Sequence, residues 1–440
     1  MKSCGWLVLA MLVALGAALV MPAFGDEPVD QPYYGQLSAV PGAAADRLVV
    51  KFQPWVTEAQ ALRVHRGRGA RLIERGYGNA FHVVRVPAWA RDRALAGYRQ
   101  RPEVAMAEPD HVATALFTPN DPYFFPYQWN FYDHGVTSGA AASDFGVRAQ
   151  SAWTTSNGAG VIVAVVDTGI AYENYGKKFK LAPDLAGTQF VAGYNFVNNT
   201  PHANDDNGHS THVAGTIAQT TNNHLGTAGI AFGAKLMPVK VLAKNGSGWD
   251  SWIASGIMFA TDHGAKVINL SLGGPGDDAV LHDAITYAYD RGVTIVAAAG
   301  NEDSTFLGYP AGYNTEVIAV GATRFDGQLA PYSNYGPDVD LVAPGGDMSM
   351  DQNGDGRGDG ILQQTFGPNP SKFGYYFYQG TSMATPHVAA VAALVRAAHS
   401  GYTRDQVRAA LQSTADDLGA PGKDNLYGWG LVDATAALTY

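Results

Sequence analysis

The sequence predicts an α/β protein: a doubly wound, mostly parallel sheet over residues 119–440, preceded by a small α+β domain. Two observations carry the larger part. Six runs are apolar nearly throughout: Val161–Val166, Lys235–Leu242, Lys266–Leu272, Val293–Ala299, Val317–Val320 and Val339–Val342. Strands covered on both faces read this way. Helical stretches fall between them, Ser251–His263 after the second run and Ala279–Arg291 after the third, each across a Gly-rich joint. Alternating strands and helices imply a parallel sheet, with ligands at the carboxyl ends of its strands. The third observation concerns residues 26–118. Strand signals at Arg47–Gln53, Phe81–Val86 and Val104–Ala107 alternate there with helical stretches at Thr57–Arg66 and Ala88–Gln100.

Taken from the start, Lys2 precedes an apolar run from Gly5 to Val20, then Ala23-Phe24-Gly25. A positive end, an apolar core and small residues before Asp26 describe an export leader over residues 1–25. The run is short of the ~20 residues that span a bilayer. Export, to a periplasm or beyond the cell, is therefore expected, with no membrane anchor. Asp26–Ala45 is rich in Pro, Gly and Ala and reads as a linker. The turn-rich stretch Phe117-Thr118-Pro119-Asn120-Asp121-Pro122 reads as an exposed joint where a protease could cut.

Composition narrows the function classes. The 440 residues are 46% hydrophobic and 15% charged, a globular balance with length for a full core. Cys4 is the one cysteine, which excludes an internal disulfide framework and a Cys-rich zinc site. Residues 26–118 carry 12 basic and 10 acidic side chains, residues 119–440 carry 16 and 29. An acidic main body lacks the surplus needed to neutralise phosphates, so no nucleic-acid partner is expected.

The chemistry lies at the predicted strand ends. The first apolar run ends in Asp167-Thr168-Gly169, and a carboxylate there is costly unless it has a partner or a task. His209 lies in Asn207-Gly208-His209-Ser210-Thr211-His212-Val213-Ala214-Gly215-Thr216. Ser382 lies in Gly380-Thr381-Ser382-Met383-Ala384-Thr385-Pro386-His387, leading into the apolar helix Val388–Ala398. A serine at a helix N-terminus meets free N–H groups that favour developing negative charge. It becomes a nucleophile when an imidazole takes its proton and a carboxylate orients that imidazole.

With these three motifs the chain resembles the subtilisin-like serine proteases, or subtilases, whose chain order is Asp, His, Ser. The resemblance covers nearly all of residues 119–440 and implies a serine endopeptidase with Asp167, His209 and Ser382 as catalytic residues. It implies that Asn301, in Ala297-Ala298-Ala299-Gly300-Asn301, donates to the oxyanion. It further implies an extended peptide substrate bound between Ser271-Leu272-Gly273-Gly274 and Gly246-Ser247-Gly248. Gly308 would lie at the base of the S1 pocket and Glu302 at its rim, where it could admit Lys or Arg. Protein or peptide substrates and a monomeric enzyme are expected. One departure is Ser210, where the family usually has Gly; a hydroxymethyl there could crowd the site or demand another backbone angle. The absence of H-E-x-x-H argues against a zinc protease, and the nucleophile's last place argues against an α/β-hydrolase. A catalytically silent relative acting as a binding or scaffold protein is the alternative.

Residues 26–118 resemble the inhibitor-type propeptide of the same family, through Leu48-Val49-Val50-Lys51-Phe52 and Val104–Ala113. That implies an intramolecular chaperone and inhibitor, cut off near Leu116–Thr118; a permanent N-terminal domain is the alternative. Calcium is the expected ligand. Asp351, Asn353, Asp355 and Asp359 place oxygens along a Gly-rich loop as in the first half of an EF-hand. The bidentate Glu of that motif is absent, Leu362 standing in its place. A second calcium position, at Asp184 and the loop around Asn223, is implied by the resemblance alone, with Gln128 as a further oxygen.

Overall fold

The computed structural model describes residues 43–111, 117–132 and 143–440. The expected leader, residues 26–42 of the expected linker and Leu116 of the expected cleavage stretch lie outside these residues, and the last three linker residues, 43–45, belong instead to the first strand. The chain divides into two compact units between Leu116 and Phe117.

The smaller unit runs β1 (Ala43–Phe52), α1 (Glu58–Gly67), β2 (Arg71–Arg75), β3 (His82–Arg85), α2 (Arg91–Arg99) and β4 (Val104–His111). Its strands form one antiparallel sheet in the order β2-β3-β1-β4. Alternation along β1 turns Leu48 and Val50 into a core with Val84, Ala94 and Tyr98. Thr57 caps α1, accepting from the Gln60 backbone N–H while the Gln60 side chain accepts from the Thr57 N–H, a reciprocal box that satisfies two orphan donors. Strand β2 was not expected. It is an edge strand carrying Arg71, Glu74 and Arg75, with no buried residue.

The larger unit opens with two short helices, α3 (Phe124–Tyr127) and α4 (Ala149–Ala152), before β5 (Ile162–Asp167). Two short strands, β6 (Gln189–Phe190) and β7 (Tyr194–Asn195), precede α5 (His209–Ala218), β8 (Lys235–Lys240), α6 (Asp250–Asp262) and β9 (Val267–Leu270). Then come α7 (Ala279–Asp290), β10 (Thr294–Ala298), β11 (Val317–Thr323) and β12 (Leu341–Pro344). A hairpin of β13 (Ile361–Phe366) and β14 (Phe373–Tyr378) precedes α8 (Thr381–Ala398), α9 (Arg404–Ser413) and the short α10 (Ala434–Ala437).

The main sheet is parallel at every pairing and runs β12-β11-β10-β9-β5-β8-β6, with β7 also on β8. Each predicted apolar run is one of its strands, and both faces are covered. Val163 and Val165 of β5 enter a core with α5 and α8, while Ala164 and Val166 enter the other with α6 and α7. The chain passes from β5 to β8 on one side, then back across to β9 on the other. Strand β5 is thus the switch point, where an open α/β sheet leaves a crevice, and Asp167 is its last residue.

Candidate active site

Asp167 is fully buried, and one of its oxygens accepts from the Thr168 N–H at 2.5 Å. Its carboxylate faces the His209 imidazole, with Nδ1 2.9 and 3.0 Å from the two oxygens. His209 opens α5, and the turn before it is held by Asp205. That buried carboxylate accepts from the N–H groups of Asn207, Gly208 and Thr211 and from the hydroxyls of Thr168 and Thr211. Gly208 sits at φ 103° with no room for a side chain, since a Cβ would lie 2.8 Å from the Phe366 carbonyl. Burial alone would lower the His209 pKa; Asp167 beside it, and Asp205 behind, raise it above the ordinary histidine value. Asp205 and the buried Lys240, which donates to the Thr168 and Leu242 carbonyls and to Asp206, escaped sequence reasoning. The one resembled a surface turn residue and the other a strand end.

Ser382 lies in the first turn of α8, after Gly380 at φ 142°. Its hydroxyl donates to the Ser271 carbonyl at 3.3 Å, while Ser271 Oγ donates back to the Ser382 carbonyl at 2.9 Å. Helices α5 and α8 pack together. No hydrogen bond joins His209 to Ser382 among the described residues, the Ser382 hydroxyl being turned to Ser271. Catalytic hydrogen bonds are often long or unformed in sites without substrate. Asn301 is brought to the same place. Its Oδ1 accepts from the N–H of Thr381 at 2.8 Å and from its hydroxyl at 3.0 Å. The Nδ2 donors are left for another acceptor.

The expected substrate walls follow two strands. Ser271, Leu272 and Gly273 continue β9. Gly274 pairs with Tyr309, through N–H···O contacts of 2.8 and 2.9 Å, and so brings Gly308 alongside. A Cβ on Gly308 would lie 3.0 Å from the Gly274 carbonyl. Gly246 and Gly248 follow β8 in a turn closed by Ala243 and Ser247. Glu302 is exposed, yet its Oε2 accepts from the Asn301 N–H at 2.9 Å and from Asn334 Nδ2 at 2.8 Å. This carboxylate braces the loop that carries Asn301. Ser210 lies within α5 and is absent from the residues of positive φ, so its side chain demands no unusual backbone. Its Oγ is buried without a hydrogen-bond partner.

Of the expected calcium ligands, Asp184 and Asn223 meet. Asp184 is fully buried and accepts from Asn223 Nδ2 at 2.8 Å, the Thr227 N–H at 3.1 Å and the Tyr375 hydroxyl at 3.1 Å. Beside it is a carboxylate that the sequence reading passed over as a joint residue. Asp121 is 3% exposed, and it accepts from the N–H groups of Asn222 and Asn223. Burial pushes Asp121 up to about 7 and Asp184 up to about 6. No Lys or Arg pairs with either among the described residues. Two buried carboxylates without a counter-charge fit a hard cation. The Gln128 amide instead closes on the Ala228 backbone through both its atoms. Among the described residues no three His, Cys, Asp or Glu side chains gather as a metal centre; calcium also draws on amide, carbonyl and water oxygens.

Comparison with known proteins places the family and the fold. Residues 158–430 match the Subtilase family of S8 peptidases. Thermophilic serine proteinase of Bacillus sp. (strain AK1) is 35% identical over 399 residues, covering 89% of this chain and 87% of its own. Thermitase of Thermoactinomyces vulgaris is 38% identical over 324 residues, covering 74% of this chain and all of its own. A solved structure of a protease from Pseudoalteromonas arctica PAMC 21717 superposes with a TM-score of 0.62 at 34% identity, over 73% of this chain and 99% of that one. The chain belongs to the subtilase family and is a serine endopeptidase.

Proposed function

We propose that this chain is an exported endopeptidase, made as a self-processing precursor, with Asp167, His209 and Ser382 as its triad. The observation that carries the proposal is the buried Asp167 carboxylate 2.9 Å from His209 Nδ1, at the switch point of the sheet. His209 Nε2 takes the Ser382 hydroxyl proton as Oγ attacks the substrate carbonyl. Asp167 holds the ring in the tautomer that leaves Nε2 free and stabilises the imidazolium. The tetrahedral oxyanion receives hydrogen bonds from Asn301 Nδ2 and the Ser382 N–H, at the positive end of α8. His209 then protonates the leaving amine. Water, deprotonated by the same imidazole, releases the acid and restores Ser382.

The substrate lies extended between Ser271–Gly274 and Gly246–Gly248, adding as a strand. Its P1 side chain enters beside Gly308. The smaller unit is a propeptide that assists folding, inhibits, and is removed near residues 116–118. No helix among the described residues is long and apolar enough to cross a membrane. A calcium ion held by Asp184, Asn223 and Asp121 would neutralise the buried carboxylates and stiffen the 222–227 loop.

The test compares wild type and Ser382→Ala by intact mass after folding with calcium. Wild type should lose residues up to about 118, the length the cleavage motif implies, while the variant stays whole. Loss of the same segment from both chains would reject self-processing; a wild-type serine that a fluorophosphonate fails to label would reject the nucleophile.

A further inference from the structure

The loop from Asp351 to Asp359 is not used by the catalytic reading. It leads through Gly360 directly into β13. Asp359 is the odd residue in it, at 3% exposure. One of its oxygens accepts from the Gln352 N–H at 2.6 Å, and the other, Oδ1, is buried without a hydrogen-bond partner. A buried carboxylate oxygen left bare costs more than any neutral orphan. Its surroundings make matters worse, since Asp351, Asp355 and Asp347 all act on it as like charges. No Lys or Arg pairs with Asp359 among the described residues. Arg357, the loop's own base, lies over the Tyr127 ring, and Arg324 pairs with Asp326.

We infer that this loop binds one calcium ion seated on Asp359, with Asp351, Asn353 and Asp355, not gathered as a preformed centre, drawn in around the ion as an all-oxygen shell, and that the ion fastens the β13–β14 hairpin. All-oxygen donors on a Gly-rich loop suit a cation that accepts six to eight ligands in flexible geometry. Gly354 and Gly356, at φ 73° and 84°, give the loop its sharp path. The Asp359 main chain ties the loop to its root, donating to the Met350 carbonyl at 2.8 Å and accepting from the Asp347 N–H at 3.0 Å.

Two residues on, the hairpin grips the helix of His209. The Ile361 and Tyr376 carbonyls accept from His212 Nε2 at 2.9 and 3.1 Å, and Thr365 Oγ1 donates to the Gly208 carbonyl. An ion at Asp359 would therefore hold the ground on which α5 stands. The binding claim is independent of the protease reading; only its bearing on His209 rests on it.

The test uses the full chain as Ser382→Ala, so that no molecule is cut, stripped with chelator and titrated with calcium chloride in a calorimeter. Asp359→Asn should bind one ion fewer than its parent. Asp351→Ala should also lose one ion; the Asp351 carboxylate also accepts from the Gly354, Asp355 and Gly356 N–H groups of the loop, so an unchanged urea midpoint without calcium separates ion loss from disruption of the loop. Asp184→Asn separates the other position. Hydrogen exchange of residues 361–378 should slow by about 100-fold when calcium is a hundred times its Kd, and this slowing should vanish in both loop variants. Unchanged stoichiometry in Asp351→Ala and Asp359→Asn, or exchange in the hairpin indifferent to calcium, would overturn the inference.

Discussion

Each unit buries histidine next to an acid, and the two arrangements treat the proton in opposite ways. In the larger unit His209 meets Asp167 directly, and that carboxylate has no exposure. Its field outweighs burial, and the ring holds a proton more readily than free histidine. In the smaller unit His65 and His82 are 1% and 4% exposed, and their rings touch, Nε2 of the first 2.9 Å from Nδ1 of the second. The Tyr98 hydroxyl stands 2.8 Å from His65 Nδ1, and Glu58 3.3 Å from His82 Nε2. The acid fixes the run of protons: His82 must offer N–H to Glu58, so its Nδ1 accepts from His65, whose Nδ1 accepts from Tyr98. Every ring nitrogen is used, and a further proton would have to be carried by a buried ring. Burial lowers His65 to about 4 and lowers His82 as well, because Glu58 is 44% exposed and water screens it. A histidine's behaviour is set by whether its carboxylate shares its burial.

The largest break in this contrast comes from removing the buried acid. Asp167→Asn should lower kcat by about 10⁴-fold, as tautomer control and charge are lost together. The acid limb of kcat/KM should move to lower pH, because the group that raised His209 is gone; a peptide anilide assay across pH reads both. Asn301→Ala is the control for that shift. It should cost about 10²–10³ in kcat, the loss known for this donor in subtilisin, with the pH profile unmoved since His209 keeps its partner.

The opposite sign is expected in the smaller unit. Its histidines are neutral when folded and titrate near 6.5 when unfolded, so the unfolded state binds more protons as pH falls. Stability present above pH 6.5 should drain away between 6.5 and about 4, by about 3 kcal/mol for His65 alone. Hydrogen exchange over residues 43–111 in the Ser382→Ala chain measures it, and a His65→Gln, His82→Gln pair should flatten the slope. Protection that stays level from pH 7 to 4 would refute the proton run. The smallest effect belongs to Ser210→Ala. Deleting a buried hydroxyl that lacks a partner should raise stability by about 1 kcal/mol, read as a higher urea midpoint, with kcat little changed.

What the sequence discloses follows from what chemistry forbids. A strand buried on both faces must be apolar, so the parallel strands were readable to within a few residues. Asp167 stands where a carboxylate is costly without a task, whereas His209 and Ser382, both half-buried, became legible only through the motifs around them. The hairpin was hidden for the converse reason. Gln363, Gln364 and Thr365 look like solvent-facing residues but are buried, because their side chains serve Thr227, Ala228, the Asp184 N–H and Gly208. Polar residues that satisfy distant backbone groups carry no local signature. Asp121 was obscured in the same way, by a Pro- and Asn-rich stretch that reads as a loop whatever its carboxylate meets. Edge strand β2 lacks an apolar face altogether.

Helix α8 has all but four of its eighteen residues buried, in a run of Ala and Val that leaves no soft flank. Ser382, the proposed nucleophile, is thus attached to the part of the molecule expected to open last. Thermal inactivation should therefore follow global unfolding as a single exponential, with no earlier phase in which a folded enzyme has lost its serine geometry. Autolysis, where it begins at the surface, would nick loops of molecules that are still competent, and activity would outlast the intact chain.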